Sequence, residues 1–120
     1  MKIAVSSKGK NLEAEIDPRF GRAGYFILVD PETMSFEVLE NRQNLQLPQG
    51  AGIQTAQTIV EQGANVLLTG NCGPKAFQVL KATGIKIAVG ISGTVKDAVK
   101  QYKEGKVIFA QAPNVEGHWG

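Results

Sequence analysis

The sequence predicts an α/β fold in one domain: a mixed five-stranded sheet, an antiparallel hairpin plus parallel strands, with three helices. Three observations carry this. A proline-containing turn joins two β-rich runs early in the chain. Strand-like runs then alternate with segments of helical period, and a glycine stands where each helix should stop. The 120 residues suit a single core, which on usual scaling buries roughly two-thirds of the surface the unfolded chain exposes.

Taken in order, Ile3 to Val5 is a short β-branched run that gives way to the polar stretch Ser6 to Asn11, and it reads as a central strand. Tyr25 to Asp30 and Phe36 to Glu40 flank the Pro31-Glu32-Thr33 turn as a hairpin. Ile53, Ala56, Ile59 and Val60 share a helical face that ends at Gly63, where a left-handed cap fits. Val66 to Leu68 is a buried strand. Pro74 suits the first turn of a second helix, with Phe77, Leu80 and Lys81 before a stop at Gly84. Lys86 to Val89 is the next strand. Thr94 and Asp97 have the spacing of a capping box, and Val95, Ala98, Val99 and Tyr102 follow at helical positions up to Gly105. Val107 to Phe109 reads as a short last strand, and residues 112–120 as a tail.

Composition narrows the function classes. The net charge of +2 comes from 13 basic and 11 acidic residues spread along the chain, too even for a nucleic-acid footprint. The longest apolar stretches fall far short of the roughly 20 residues that cross a bilayer. The start, Met1 to Lys8, lacks a signal peptide's apolar stretch, so the expected compartment is the cytoplasm. A single cysteine, Cys72, excludes an intramolecular disulfide and a cysteine-type zinc site within one chain.

In mixed sheets of this kind ligands favour the crevice at the carboxyl ends of the parallel strands. Three glycine-rich loops lead there into helix starts: Gly50-Ala51-Gly52, Gly70-Asn71-Cys72-Gly73 and Gly90-Ile91-Ser92-Gly93. Free N–H groups and the helix dipole at such starts suit an anion, although glycines also simply make tight turns. Asp17-Pro18-Arg19-Phe20-Gly21-Arg22 adds two guanidinium groups, which suit anionic oxygens or sulfides or else pair with Asp17 to order the loop. Cys72, at a helix start with Lys75 close by, reads either as a metal-binding thiolate of lowered pKa or as a small apolar filler. His118, in a Gly-His-Trp-Gly tail, reads as a cluster ligand or as a solvated imidazole.

Together, Lys2-Ile3-Ala4-Val5, the segment from Asp17 to Phe26, the Gly50-Ala51-Gly52 turn and the run from Thr69 to Phe77 resemble the dinitrogenase iron–molybdenum cofactor biosynthesis family. That family includes NifX and NafY-type carriers, the C-terminal domain of NifB and stand-alone proteins of anaerobes. The resemblance implies a ribonuclease-H-like sheet and a non-catalytic role in binding or carrying an iron–sulfur or molybdenum-containing cluster, with cluster-assembly proteins as partners. With the loop chemistry above, the candidate cluster-binding residues are Arg19, Arg22, Gly50, Gly52, Asn71, Cys72, Gly73 and Lys75, with Cys72 and His118 as candidate metal ligands. Family members linked to nitrogenase tend to place a histidine in a cluster-facing loop, and this chain has none before His118.

Two other functions compete. A nuclease on such a sheet needs several convergent carboxylates, and Ser6 and Ser7 stand where the first strand would supply one. An interaction module of a cluster-assembly system, binding no metal itself, is compatible with every residue quoted above.

Overall fold

The computed structural model describes residues 1–41 and 50–115. The order of elements is β1 (Ile3–Ser7), β2 (Tyr25–Val29), β3 (Phe36–Glu40), α1 (Ala51–Glu61), β4 (Val66–Leu68), α2 (Pro74–Ala82), β5 (Lys86–Ala88) and α3 (Val95–Lys103). The sheet runs β3-β2-β1-β4-β5, so β1 is central as expected. It pairs antiparallel with β2, Val5 facing Ile27, and parallel with β4, Val5 facing Leu68. β2 and β3 form the expected hairpin, and β4 and β5 are parallel.

Alternation along the strands splits the core into two layers, because successive side chains leave a strand on opposite faces. Ala4, Phe26, Leu28, Leu67 and Ile87 meet Ala56 and Ile59 of α1 and Ala76, Phe77 and Leu80 of α2. Ile3, Val5, Ile27, Val29, Val66, Leu68 and Ala88 meet Val95, Ala98 and Val99 of α3 on the other face. Large side chains such as Phe26, Ile27 and Leu67 are fully buried, each stabilising the fold by about 1.5–3 kcal/mol. No helix of the described residues is long and apolar enough to cross a membrane.

The helix boundaries follow the local chemistry. Gly63, Gly84 and Gly105 all take the left-handed conformation just past a helix end, and Pro74 occupies the first turn of α2. The capping box is present: the Thr94 side chain accepts the Asp97 N–H (3.0 Å), and the Asp97 carboxylate accepts the Thr94 N–H (3.1 Å).

Three local expectations change. The α1 face is set by Ala51, Thr55, Ala56 and Ile59, with Ile53 and Val60 only half-buried. Val107 to Phe109 makes a single antiparallel bridge, Phe109 to Ala88, instead of a strand, since the chain touches the β5 edge at one point. Of the expected tail, residues 112–115 are described, and Asn114 is hydrogen-bonded to the loop before α2. His118 lies outside the described residues, as does the chain from 47 to 49 ahead of the Gly50 turn.

Candidate functional site

The carboxyl ends of β1, β4 and β5 meet one long loop, residues 8–24, that folds across them. Ser6 Oγ donates to Asp17 O (2.7 Å) and shares a 2.7 Å hydrogen bond with Thr69 Oγ1, tying β1, the loop and the end of β4. Both hydroxyls are completely buried. Asp17 orders the turn through the backbone: its Oδ1 accepts the Arg19 N–H (3.0 Å). No carboxylate of the described residues lies within ion-pair distance of the Arg19 guanidinium.

The segment from Pro18 to Gly24 spans the starts of two helices. At one end Phe20 N–H donates to Asn71 O (3.1 Å) and Asn71 Nδ2 donates to Pro18 O (3.0 Å), just ahead of α2. At the other, Asn41 Nδ2 donates to Ala23 O (2.8 Å) while Asn41 Oδ1 accepts from Thr55 Oγ1 of α1 (3.2 Å). Arg19 therefore stands toward the α2 start and Arg22 nearer the side fastened to α1. Arg19 is exposed and Arg22 half-buried.

Those two starts differ from the third. Gly50 caps α1 at φ 82° and Gly73 caps α2; neither helix has a side-chain cap or an acidic residue in its first turn. Among the described residues no side chain accepts from the N–H groups of their first turns, and no acidic residue in either first turn offsets the positive end of the dipole. α1 and α2 pack against each other on the same sheet face, so both starts lie at the same edge. α3 fills its own start with the Asp97 carboxylate and packs on the opposite face. Of the three glycine-rich loops, then, two converge as anion-compatible helix starts and the Gly90 to Gly93 loop does not. Gly52 is buried within the first turn of α1, Gly73 is buried at its cap position, and Lys75 is exposed beside Gly73.

Cys72 departs from the expectation of an accessible thiolate. It is 1% exposed and lies in the core layer with Phe20, Ala76 and Phe77. Burial pushes its thiol up to about 12, because an apolar surrounding disfavours the thiolate more than a helix start favours it. The weak contact from Sγ to Gly73 O (3.8 Å) also requires the protonated form as donor. The thiol is a small apolar filler at the base of the loop, and its assignment as a metal ligand at the crevice mouth is corrected accordingly. Among the described residues no three of His, Cys, Asp or Glu come together as a metal site. The donors the site does offer are backbone N–H groups, carboxamides and cations, which suit an anionic guest better than a bare metal ion.

Sequence reasoning missed two residues that organise this edge. Asn41 joins the loop to α1, and Asn114 reaches back from beyond α3 to the loop before α2. Neither stands in a local pattern, since an asparagine that bonds backbone groups far along the chain leaves no spacing to read.

Comparison with known proteins agrees with this architecture. A family described as dinitrogenase iron-molybdenum cofactor matches residues 1–105. The apo form of the orange protein from Desulfovibrio gigas is 46% identical and superposes with a TM-score of 0.93, covering 95% of this chain and 96% of that one. A Thermotoga protein assigned to NifB and to the DUF35 family is 35% identical, with a TM-score of 0.82 over 97% of this chain and 98% of its own. An uncharacterised protein of Methanocaldococcus jannaschii is 31% identical over 110 residues, 89% of each chain. This chain belongs to the dinitrogenase iron–molybdenum cofactor family.

Proposed function

We propose that the protein is a cytoplasmic, non-catalytic carrier that binds an iron–sulfur or molybdenum-containing cluster during metallocofactor assembly, holding it as an anion. One observation carries this reading: two neighbouring helix starts that, among the described residues, have no side-chain acceptor, spanned by a loop that bears Arg19 and Arg22. Each helix start contributes about 0.3–1 kcal/mol toward a nearby negative charge, more when partly buried, and each charge-assisted hydrogen bond about 1.5–3 kcal/mol. Membership of the cofactor family supports a cluster as cargo. So does the 46% identical orange protein, whose structure is of an apo form. The partners this role requires are the assembly proteins that load and unload the cluster.

The test is an anaerobic titration with tetrathiomolybdate, followed by its visible absorbance. Arg19→Ala with Arg22→Ala is expected to weaken binding about tenfold, a loss of about 1.4 kcal/mol. Affinity in the parent should also fall with added salt, as exposed charge interactions do. Unchanged uptake in the double variant would reduce the arginines to loop order. A parent that stays colourless with tetrathiomolybdate, and with iron and sulfide, would favour the interaction module.

A further inference from the structure

Beyond α3 the chain folds back toward the site. Ala110 N–H donates to Ile87 O (2.7 Å) at the edge of β5. Four residues later Asn114 closes on three consecutive residues of the loop before α2. Its Oδ1 accepts the Cys72 N–H (2.8 Å), and its Nδ2 donates to Gly70 O (3.3 Å) and Asn71 Oδ1 (3.1 Å). Its own N–H donates to Cys72 O (3.3 Å). Acceptor and donor ends of one carboxamide are thus both engaged, on the loop that leads into the α2 start.

We propose that the segment from Phe109 to Val115 is a latch on the anion crevice, and that Asn114 sets access to it by occupying a loop N–H that the cargo must take over. The inference rests on the carrier reading above. A carboxamide oxygen on a backbone N–H is a neutral stand-in for an anionic oxygen or sulfide, and a charged guest binds the same donor more strongly. The rest of the segment is weakly held. Ile108 just before it is 85% exposed, and residues 111–114 are exposed. Besides the bonds of Asn114 and Ala110, the described contacts are the 3.3 Å hydrogen bond from Lys81 Nζ to Gln111 O, the half-buried packing of Ala110, and Phe109 seated beside Ala88 and Tyr102 under the Lys86 ammonium, so the hold is concentrated at Phe109 and Ala110 and residues 111–113 have little of it. An element with few buried apolar contacts opens at small cost, whereas the sheet beneath it does not. Arrival of an anion at the α2 start would therefore release the segment and leave the core intact.

The sign of two substitutions separates a latch from a structural tie. Asn114→Ala removes the competing oxygen: amide exchange at Cys72 in the cargo-free protein should quicken at least tenfold, and tetrathiomolybdate should bind severalfold more tightly. Asn114→Asp keeps an acceptor for the Cys72 N–H and adds a negative charge, so it should bind severalfold more weakly than the parent. In the parent, adding tetrathiomolybdate should shift the Asn114 side-chain amide resonances. If both variants bind more weakly, or the Asn114 resonances stay fixed while the parent binds, the latch is refuted and the carrier reading survives. If no form takes up tetrathiomolybdate, or iron with sulfide, the carrier reading fails and the latch with it.

Discussion

At Gly70 the loop before α2 packs tightly against the backbone of Pro18, and replacing that glycine with alanine tests the contact directly. A Cβ there would lie 2.7 Å from both Cα and O of Pro18 and 3.1 Å from its carbonyl carbon. Carbon atoms in contact prefer about 3.5–4.0 Å, so the two backbones must part by about 1 Å. The bonds from Phe20 N–H to Asn71 O (3.1 Å) and from Asn71 Nδ2 to Pro18 O (3.0 Å) would then exceed useful length. Two lost hydrogen bonds at about 1 kcal/mol each, with about 1 kcal/mol or more of overpacking, give a destabilisation of about 3 kcal/mol. For a chain of this size that lowers the thermal midpoint by about 10 °C. Gly24 is the internal control, since a Cβ there meets no heavy atom within 4 Å and its φ is not positive. Gly24→Ala should be neutral or stabilise by up to about 1 kcal/mol, through the unfolded chain. Circular dichroism melts of both variants decide the matter. If Gly70→Ala melts within a degree or two of the parent, the loops are not held by close backbone approach.

The buried thiol predicts slow chemistry: Cys72 should alkylate with iodoacetamide at pH 8 far more slowly than in urea-unfolded protein, and equal rates would show that the sulfur is accessible. Its pKa is raised on folding from an ordinary 9.0 to about 12, so the native state holds the proton longer than the unfolded chain. The stability linked to it is complete below pH 9 and declines from there to about 12, at up to about 1.4 kcal/mol per pH unit, a slope that Cys72→Ala should remove from urea midpoints measured across that range. Thr94→Ala should cost about 1 kcal/mol by removing the α3 cap, read as a lower urea midpoint with unchanged slope. The Asp97 carboxyl is held below the usual carboxylate range by the Thr94 N–H above all, so its contribution is present above its unfolded pKa and is lost as pH falls through the lowered one. Asp97→Asn and the parent should therefore converge in stability at acid pH.

Local chemistry along the chain determined the fold. The β-branched run at Ile3, the proline turn before β3, Pro74 at the α2 start, the Thr94–Asp97 capping box and the glycines past each helix all act through contacts a few residues apart, which spacing alone reveals. The candidate arginines and glycine loops were legible for the same reason, and the run from Thr69 to Phe77 carried the family resemblance. Whether a loop residue faces solvent was not legible, because that depends on which distant segment closes over it. Cys72 shows this best: at a helix start its neighbours in sequence favour a thiolate, but Phe20, more than fifty positions earlier, packs with it in the core and excludes the water a thiolate needs. The capping box marked the α3 start as self-capped from sequence, but only the tertiary structure put α3 on the face opposite α1 and α2. It alone also brought Asn114 back across the chain to the loop at Gly70, where one carboxamide satisfies both a donor and acceptors that no local pattern pairs.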